Sequence, residues 1–453
     1  MTTHTTLAFA LVLCAGLAAP ACGGSRGGDD DTDTSTGSDA DTDADSDTDT
    51  DTDADSDSDS DTDADTDTDS DSDSDSDSAS SSETGPCALG TYIGNLTVTT
   101  AAELDALSGY SAFSGDLRID GCVDCTDLAA LWCLESIDGD LDIINCDALN
   151  DLSGLDSLIE VTGRLGIVGN YSLVSVNGLG NVVTVGGDIS ILHDYALLTL
   201  DGLSGLTSIG GSFRLQFNGD LTSLEGLSGL TSLGGGLSFG YNDVLPNLDG
   251  LEGLTSLPGS SMIFGHDSLT SIEGLSGITS VGGSLDISQN EYLGSLVGLE
   301  GIAEIPGTLF LDRLAIVDVG PLNNLTTIGG SLEFYHLHDL KSLEGLGSLT
   351  SVGQDVILWD NWNTELNGLS GVTSVPGVLE IHANDDLVSL GGLSGITWVG
   401  VELKVTFNDV LPDCEVCELL EQLASDPGVL TFEENLEDVC TPVPTNCDAG
   451  AGE

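Results

Sequence analysis

A unit of 24 residues recurs along this chain with almost no drift, and that period limits the fold more than any single motif does. Aligned on Gly-x-Leu-x-Ile, the copies begin at Gly115, Gly139, Gly163, Gly187, Gly211, Gly235, Gly259, Gly283, Gly307, Gly330, Gln354 and Gly377, with a degenerate thirteenth near Val401. Repeats of this length each make one coil that cannot bury its apolar face alone, so the chain must stack them into a solenoid. Binding or chemistry is then expected on a long surface.

Each column of the alignment has its own task. Taking the first apolar residue of a coil as position zero gives Leu117, Leu141, Leu165, Ile189, Phe213, Leu237, Ser261, Leu285, Leu309, Leu332, Val356, Leu379 and Leu403, broken only by Ser261. Two residues on, every coil is again apolar, from Ile119 to Val405, which is the alternation of a strand with one buried face. Five residues after position zero stand Asn170, Asn218, Asn242, Asn290, Asn361, Asn384 and Asn408, with Asp194 and His266 substituting. A carboxamide at a fixed bend satisfies backbone groups of its own coil and the next, so an asparagine ladder is expected. The rest of each coil, as in Leu221 to Leu233, is too rich in Gly, Ser and Thr for an α-helix. The expected fold is an all-β, right-handed parallel β-solenoid of about thirteen 24-residue coils, closed by a short capping helix from Cys414 to Ala424 after the cap residue Asp413.

The segments Leu230 to Leu245 and Ile278 to Asn290 resemble the leucine-rich, β-helical receptor L domain of receptor ectodomains, fungal cell-wall proteins and bacterial surface lipoproteins. The resemblance spans roughly residues 90 to 440. It implies a ligand-facing sheet and carries over no catalytic residue, since that family shares architecture and not one reaction.

The ends of the chain speak to location. Residues 7 to 19 form an apolar run too short to span a membrane, read as a signal peptide over 1–22. Small residues before Cys22 resemble a lipobox in which that cysteine is acylated, so the expected membrane contact is a lipid anchor at Cys22, with outer-membrane or surface placement and plain secretion as the alternative. Residues 23–86 form a stalk whose Asp29 to Ser78 segment alternates Asp with Ser, Thr and Ala and holds 24 of the 77 acidic residues. Such a segment cannot bury enough surface to offset its conformational entropy and stays extended. Its second conceivable role is weak Ca²⁺ binding, because dense carboxylates attract hard cations. The solenoid is assigned to 87–440 and a disordered tail to 441–453. Net charge is −70, and about −46 remains without the stalk segment, which argues against nucleic acid or anionic lipid as partners.

Nine cysteines cluster at the two ends of the solenoid: Cys87, Cys122, Cys125, Cys133 and Cys146, then Cys414, Cys417, Cys440 and Cys447. Terminal coils lack a neighbour, so disulfide-closed caps are expected. Cys122 and Cys146 occupy the asparagine column in adjacent coils, within bridging distance of each other. A Cys-x-x-Cys metal site is not expected, because no second pair follows at zinc-site spacing.

Enzymatic chemistry finds little footing. Arg118, Arg164, Arg214, Arg313, Lys341 and Lys404 are scattered over distant coils, as the acid-and-base arrangement of a polysaccharide lyase is not. His336 and His338 are the one close histidine pair, able with a carboxylate to hold a metal, but neither metal nor cofactor is expected. The column Thr207, Thr231, Thr255, Thr279, Thr326, Thr350, Thr373 and Thr397 reads as strand and turn chemistry before it reads as a hydroxyl ruler.

The outward positions of the first strand say more. Coils seven to twelve place Met262, Phe264, Phe310, Tyr335, Ile357, Trp359 and His382 there, with Glu333 and Glu380 among them, making an aromatic strip some 25 Å long at about 4.8 Å per coil. Exposed apolar patches of that size mark contact sites. The expectation is a non-enzymatic surface protein that binds an extracellular carbohydrate or protein; a structural spacer is the first alternative and a polysaccharide lyase the second.

Overall fold

The computed structural model describes residues 86–436; the leader, Cys22, the acidic stalk, and the tail with Cys440 and Cys447 lie outside the described residues. Among the described residues no helix is long and apolar enough to cross a membrane.

The coil beginning at Phe213 shows how the sequence makes the shape. Phe213 and Leu215 are buried while Arg214 and Gln216 face outward along the strand Phe213–Gln216. After the bend at Asn218, Leu221, Leu224, Leu227, Leu230 and Leu233 turn inward at every third residue. That is the period of a chain turning three residues at a time, and Glu225–Leu227 forms a single 3₁₀ turn. Ser232–Leu233 then makes a two-residue strand of a second sheet. Seven apolar side chains per coil thus enter one continuous core, each worth about 1.5–3 kcal/mol relative to exposure.

Stacking is in register and parallel. Ile189 pairs with Phe213 and Phe213 with Leu237, so each residue meets its counterpart one unit away. The long sheet has fifteen strands, from Leu96–Val98 to Val429–Glu433, two more than the thirteen expected. Both added rungs depart from the 24-residue spacing: Leu96 pairs with Leu117, and Glu402 with Val429. The second is displaced because the helix Asp413–Gln422 is inserted into its coil. That helix starts one residue earlier and ends two residues earlier than expected, with Pro412 at the cap position. It buries Val416, Cys417, Leu419 and Leu420 over the open end of the core. Glu415 Oε2 accepts from Ser389 Oγ at 2.9 Å and Leu390 N at 2.8 Å, tying it to the coil beneath.

The other end carries a helix the periodicity does not announce, Ala101–Asp105. Thr100 Oγ1 accepts from Glu103 N, and the Glu103 carboxylate accepts from Thr99 N at 2.8 Å, a close variant of the capping box. Leu104 is thereby set into the core end.

The asparagine ladder is present and its geometry repeats. Asn218 Nδ2 donates to Ile191 O at 3.0 Å in the preceding coil, while Asn218 Oδ1 accepts from Asp194 N at 3.1 Å. Asn290, Asn361, Asn384 and Asn408 repeat both contacts, and Asn435 extends the ladder into the last rung. It is interrupted where Leu314 and Leu337 fill the column. His266 fits the ladder as a neutral imidazole: Nδ1 donates to Asn290 Oδ1 at 3.1 Å, and Nε2 faces Asn242 Nδ2 at 3.5 Å. Burial lowers its pKa to about 4. Because the unfolded chain titrates near 6.5, the native state keeps this contribution above pH 6.5 and loses it as pH falls toward 4, by about 3 kcal/mol. His266→Asn should remove that loss; unfolding of parent and variant between pH 7 and 4 measures it, and equal acid sensitivity would refute it.

A second ladder runs beside position zero. Asp140 Oδ1 accepts from Arg164 N, Asp188 Oδ1 from Ser212 N, Ser284 Oγ from Thr308 N, and Asp355 Oδ1 from Val378 N, all between 2.7 and 3.0 Å. The threonine column is structural in the same way: Thr231 Oγ1 donates to Thr207 O at 3.3 Å and Thr350 Oγ1 to Thr326 O at 3.2 Å.

Candidate functional site

The outward face of the long sheet carries the residues singled out above, and their arrangement differs from one unbroken strip. Met262 is 40% exposed; Phe264, Phe310, Tyr335, Ile357, Trp359 and His382 are half-buried. Coil eight separates them, since Asp286 lies in register between Met262 and Phe310, and Ser288 between Phe264 and Asp312. Phe264 instead meets Tyr241 edge-on at 5.2 Å and covers Gly240. It belongs to a second aromatic row, His193, Phe217 and Tyr241, whose ring centroids are spaced at 4.5 and 4.8 Å.

The C-terminal row is the richer one. Phe310 and Tyr335 lie 5.5 Å from each other, Tyr335 and Trp359 6.5 Å, Trp359 and His382 3.9 Å, and His382 and Phe407 5.1 Å. Phe407, 39% exposed, extends the row beyond the strip read from the sequence because it sits at a bend, in the left-handed region at φ 61°. The same bend position holds Gly121, Gly169 and Gly265 in other coils and side chains in most, as at Tyr241, Arg313 and His336.

Carboxylates flank these rings without full hydration. Burial raises the pKa of Asp286 to about 6, and its Oδ1 has no hydrogen-bond partner among the described residues. Burial likewise raises Glu333, and burial with the neighbouring acidic charges raises Tyr335. Ile357 pairs between Glu333 and Glu380. The rings already receive cations from their own chain: Lys404 Nζ stands 5.4 Å from the Trp359 centroid while bonding Glu380 at 2.6 Å, and Lys341 Nζ stands 5.5 Å from Trp362.

The basic residues are less scattered than the sequence suggests. Arg164 Nη2 meets Asp142 Oδ2 at 2.6 Å and Arg118 Nη1 meets the same oxygen at 3.5 Å, so two arginines from different coils share one carboxylate. Burial raises the Asp142 pKa against their attraction. Arg118 and Asp142 are register partners in one column, while Arg164 reaches the carboxylate from two positions earlier in its own coil, which hides its share of the contact in the alignment.

Bridges at the caps follow the expectation only partly. Cys87 is bonded to Cys133 and Cys122 to Cys125, while Cys414 and Cys417 are also disulfide-bonded. Cys146 is a free, buried thiol, correcting its assignment as a bridge partner of Cys122. Its S–H faces Ile144 O at 3.3 Å and Ile119 O at 3.7 Å, taking the place of an asparagine amide in the ladder. Among the described residues, one three-residue group sets potential metal ligands within 4.8 Å of one another, namely Cys122, Asp124 and Cys125, and its two sulfurs are joined to each other.

No family model matches the chain. No curated protein matches it either. Among solved structures, an internalin from Listeria monocytogenes aligns over 69% of this chain and 78% of its own, at 15% identity and a TM-score of 0.38. TLR13, solved in complex with ssRNA13, aligns over 71% of this chain at 14% identity and a TM-score of 0.26, and 58% of its own length is covered. The parallel solenoid itself rests on the sheet pairing described above.

Proposed function

We propose that this chain is an exported, non-enzymatic binding protein whose long sheet holds a basic protein partner on the outward face of coils eight to thirteen. The observation that carries the reading is the pairing of the aromatic row Phe310, Tyr335, Trp359, His382 and Phe407 with the poorly hydrated carboxylates Asp286 and Glu333. Arg or Lys side chains of a partner would find ring faces and edges next to unneutralised acids, as Lys404 does over Trp359. The excess of acidic residues over the whole chain draws such a partner in and repels nucleic acid. The receptor L-domain resemblance, with its ligand-facing sheet, agrees with this use of the face. Export is supported by the apolar run at 7 to 19 and by the disulfides Cys87–Cys133 and Cys122–Cys125, which persist in oxidising compartments. Lipid attachment at Cys22 belongs to the same proposal.

A labelled oligo-arginine peptide, titrated at 0.15 M salt, is the probe. Trp359→Ala and Glu333→Gln should each weaken binding about tenfold or more, a change of roughly 1.4 kcal/mol. The stalk is identical in all variants, so its nonspecific attraction cancels. Equal binding by parent and variants refutes the assignment, and neutral oligosaccharide binding lost with Trp359→Ala would replace the basic partner with a carbohydrate.

A further inference from the structure

We propose that His336 and His338 form a two-histidine chelate for a divalent transition-metal ion of the zinc type, at a cavity on the bend side of coils nine and ten. The cavity measures about 290 Å³ and is lined by residues that include Glu291, Arg313, His336, His338 and Asp339. It lies where the solenoid departs from its own rule. The unit from Gly307 to Gly330 is one residue short, Leu314 and Leu337 interrupt the asparagine ladder, and the strands Leu285–Asn290 and Leu309–Leu314 run two residues longer than most of their neighbours.

Both histidines are set for metal by a carboxylate behind them. His336 Nδ1 donates to Asp312 Oδ1 at 2.8 Å, and His338 Nε2 donates to Asp360 Oδ2 at 3.1 Å. Each bond fixes the tautomer and leaves the other nitrogen, His336 Nε2 and His338 Nδ1, as a lone-pair donor, which is how ligating histidines are held in metal proteins. Trp362 stacks on the His338 ring at 4.9 Å and limits its rotation. The two ring centroids are separated by 6.3 Å. A zinc–nitrogen bond of about 2.0–2.1 Å puts the ion about 3.2 Å from each centroid, so two rings sharing one tetrahedral ion have centroids about 5.2 Å from each other. The observed 6.3 Å is about 1 Å wider than that, so the two rings close on the ion by small side-chain rotations when it binds.

Charge favours a cation here. Glu291, Asp339, Asp312 and Asp360 surround the pair, and Arg313 is turned to Asp312 at 3.4 Å. Among the described residues the two histidines form no group of three ligand atoms within 4.8 Å of one another, so water or a rotated carboxylate completes the coordination. This is an open site, the kind that retains exchangeable positions.

The test is competition between the full-length chain and a chromophoric chelator for zinc, with millimolar Ca²⁺ present to occupy the stalk and surface carboxylates. One zinc per chain is expected, weakened at least tenfold by His336→Ala and by His338→Ala, and about tenfold by Asp312→Asn, which keeps both ligands and alters only the orienting bond. Circular dichroism of each variant checks that the coils stay folded. Binding that is unchanged in the double histidine variant overturns the proposal, as does a parent chain that takes up no more zinc than that variant.

Discussion

Asp194→Asn raises the stability of the solenoid by about 3–5 kcal/mol above pH 7 and flattens its dependence on pH between 4 and 7. Asp194 stands in the asparagine column, fully buried, with Oδ1 accepting from Asn170 N at 2.7 Å and Asn170 Nδ2 at 3.1 Å. Its Oδ2 has no hydrogen-bond partner among the described residues. At Asn218 and Asn290 the corresponding atom is an amide nitrogen donating to a carbonyl 27 residues earlier, so in this coil Oδ2 faces the place of Ile167 O. A carboxylate cannot donate there, and burial pushes its pKa up to about 7. The folded value exceeds the unfolded 3.8, so the native state is favoured while the group is protonated, and that advantage is lost as pH rises from near 4 through 7. The amide supplies the missing donor at every pH. Chemical denaturation at pH 5 and pH 8 decides the matter: a variant no more stable than the parent at pH 8 would mean that Asp194 is hydrated or paired in solution.

The opposite sign is expected at Gly368. It is the middle residue of the 3₁₀ turn Asn367–Leu369, and a Cβ built on it would lie 1.6 Å from Leu343 O and 2.5 Å from Leu343 C in the coil beneath. The obstacle is backbone, which cannot rotate aside. Gly226 and Gly274 occupy the same place, 2.0 and 1.9 Å from Leu200 O and Leu248 O, so the close approach is a rule of the coil. Gly368→Ala must therefore force adjacent coils that share a core away from each other, at about 4 kcal/mol or more. Since each coil touches only its neighbours, the damage should be local, with amide exchange accelerating around residues 343–369 before the N-terminal coils respond. Uniform loss of protection along the whole solenoid would contradict that picture.

The sequence is transparent where one side chain repeats and opaque where one function is shared among several. Position zero and its partner two residues on are aliphatic in nearly every coil, and the carboxamides keep one identity, so core and ladder are readable from spacing. The second ladder is not, because Asp140, Asp188 and Asp355 alternate with Ser284 and Thr308, whose side-chain oxygens serve equally well as acceptors of a backbone N–H. Arg164 escapes notice for a geometric reason, since it reaches Asp142 from 22 positions away and from a different column, whereas Arg118 and Asp142 are register partners one repeat from each other. The end rungs drift from the period because Ala101–Asp105 and Asp413–Gln422 take up chain that regular coils spend on turns. Of the candidate surface, the ring-bearing positions are legible and their grouping is not: Asp286 divides them, and Phe407 joins from a bend.

The helices at the two ends also decide whether copies of this molecule stay separate. A parallel sheet of fifteen strands has a bare row of N–H and C=O groups at each terminus, open to pairing with a newcomer. Asp413–Gln422 lays Leu419 and Leu420 across the last aliphatic layer, where another copy's first coil would otherwise dock. Head-to-tail contacts of that kind do not close into a ring by symmetry, so a chain stripped of its lid would grow into fibres.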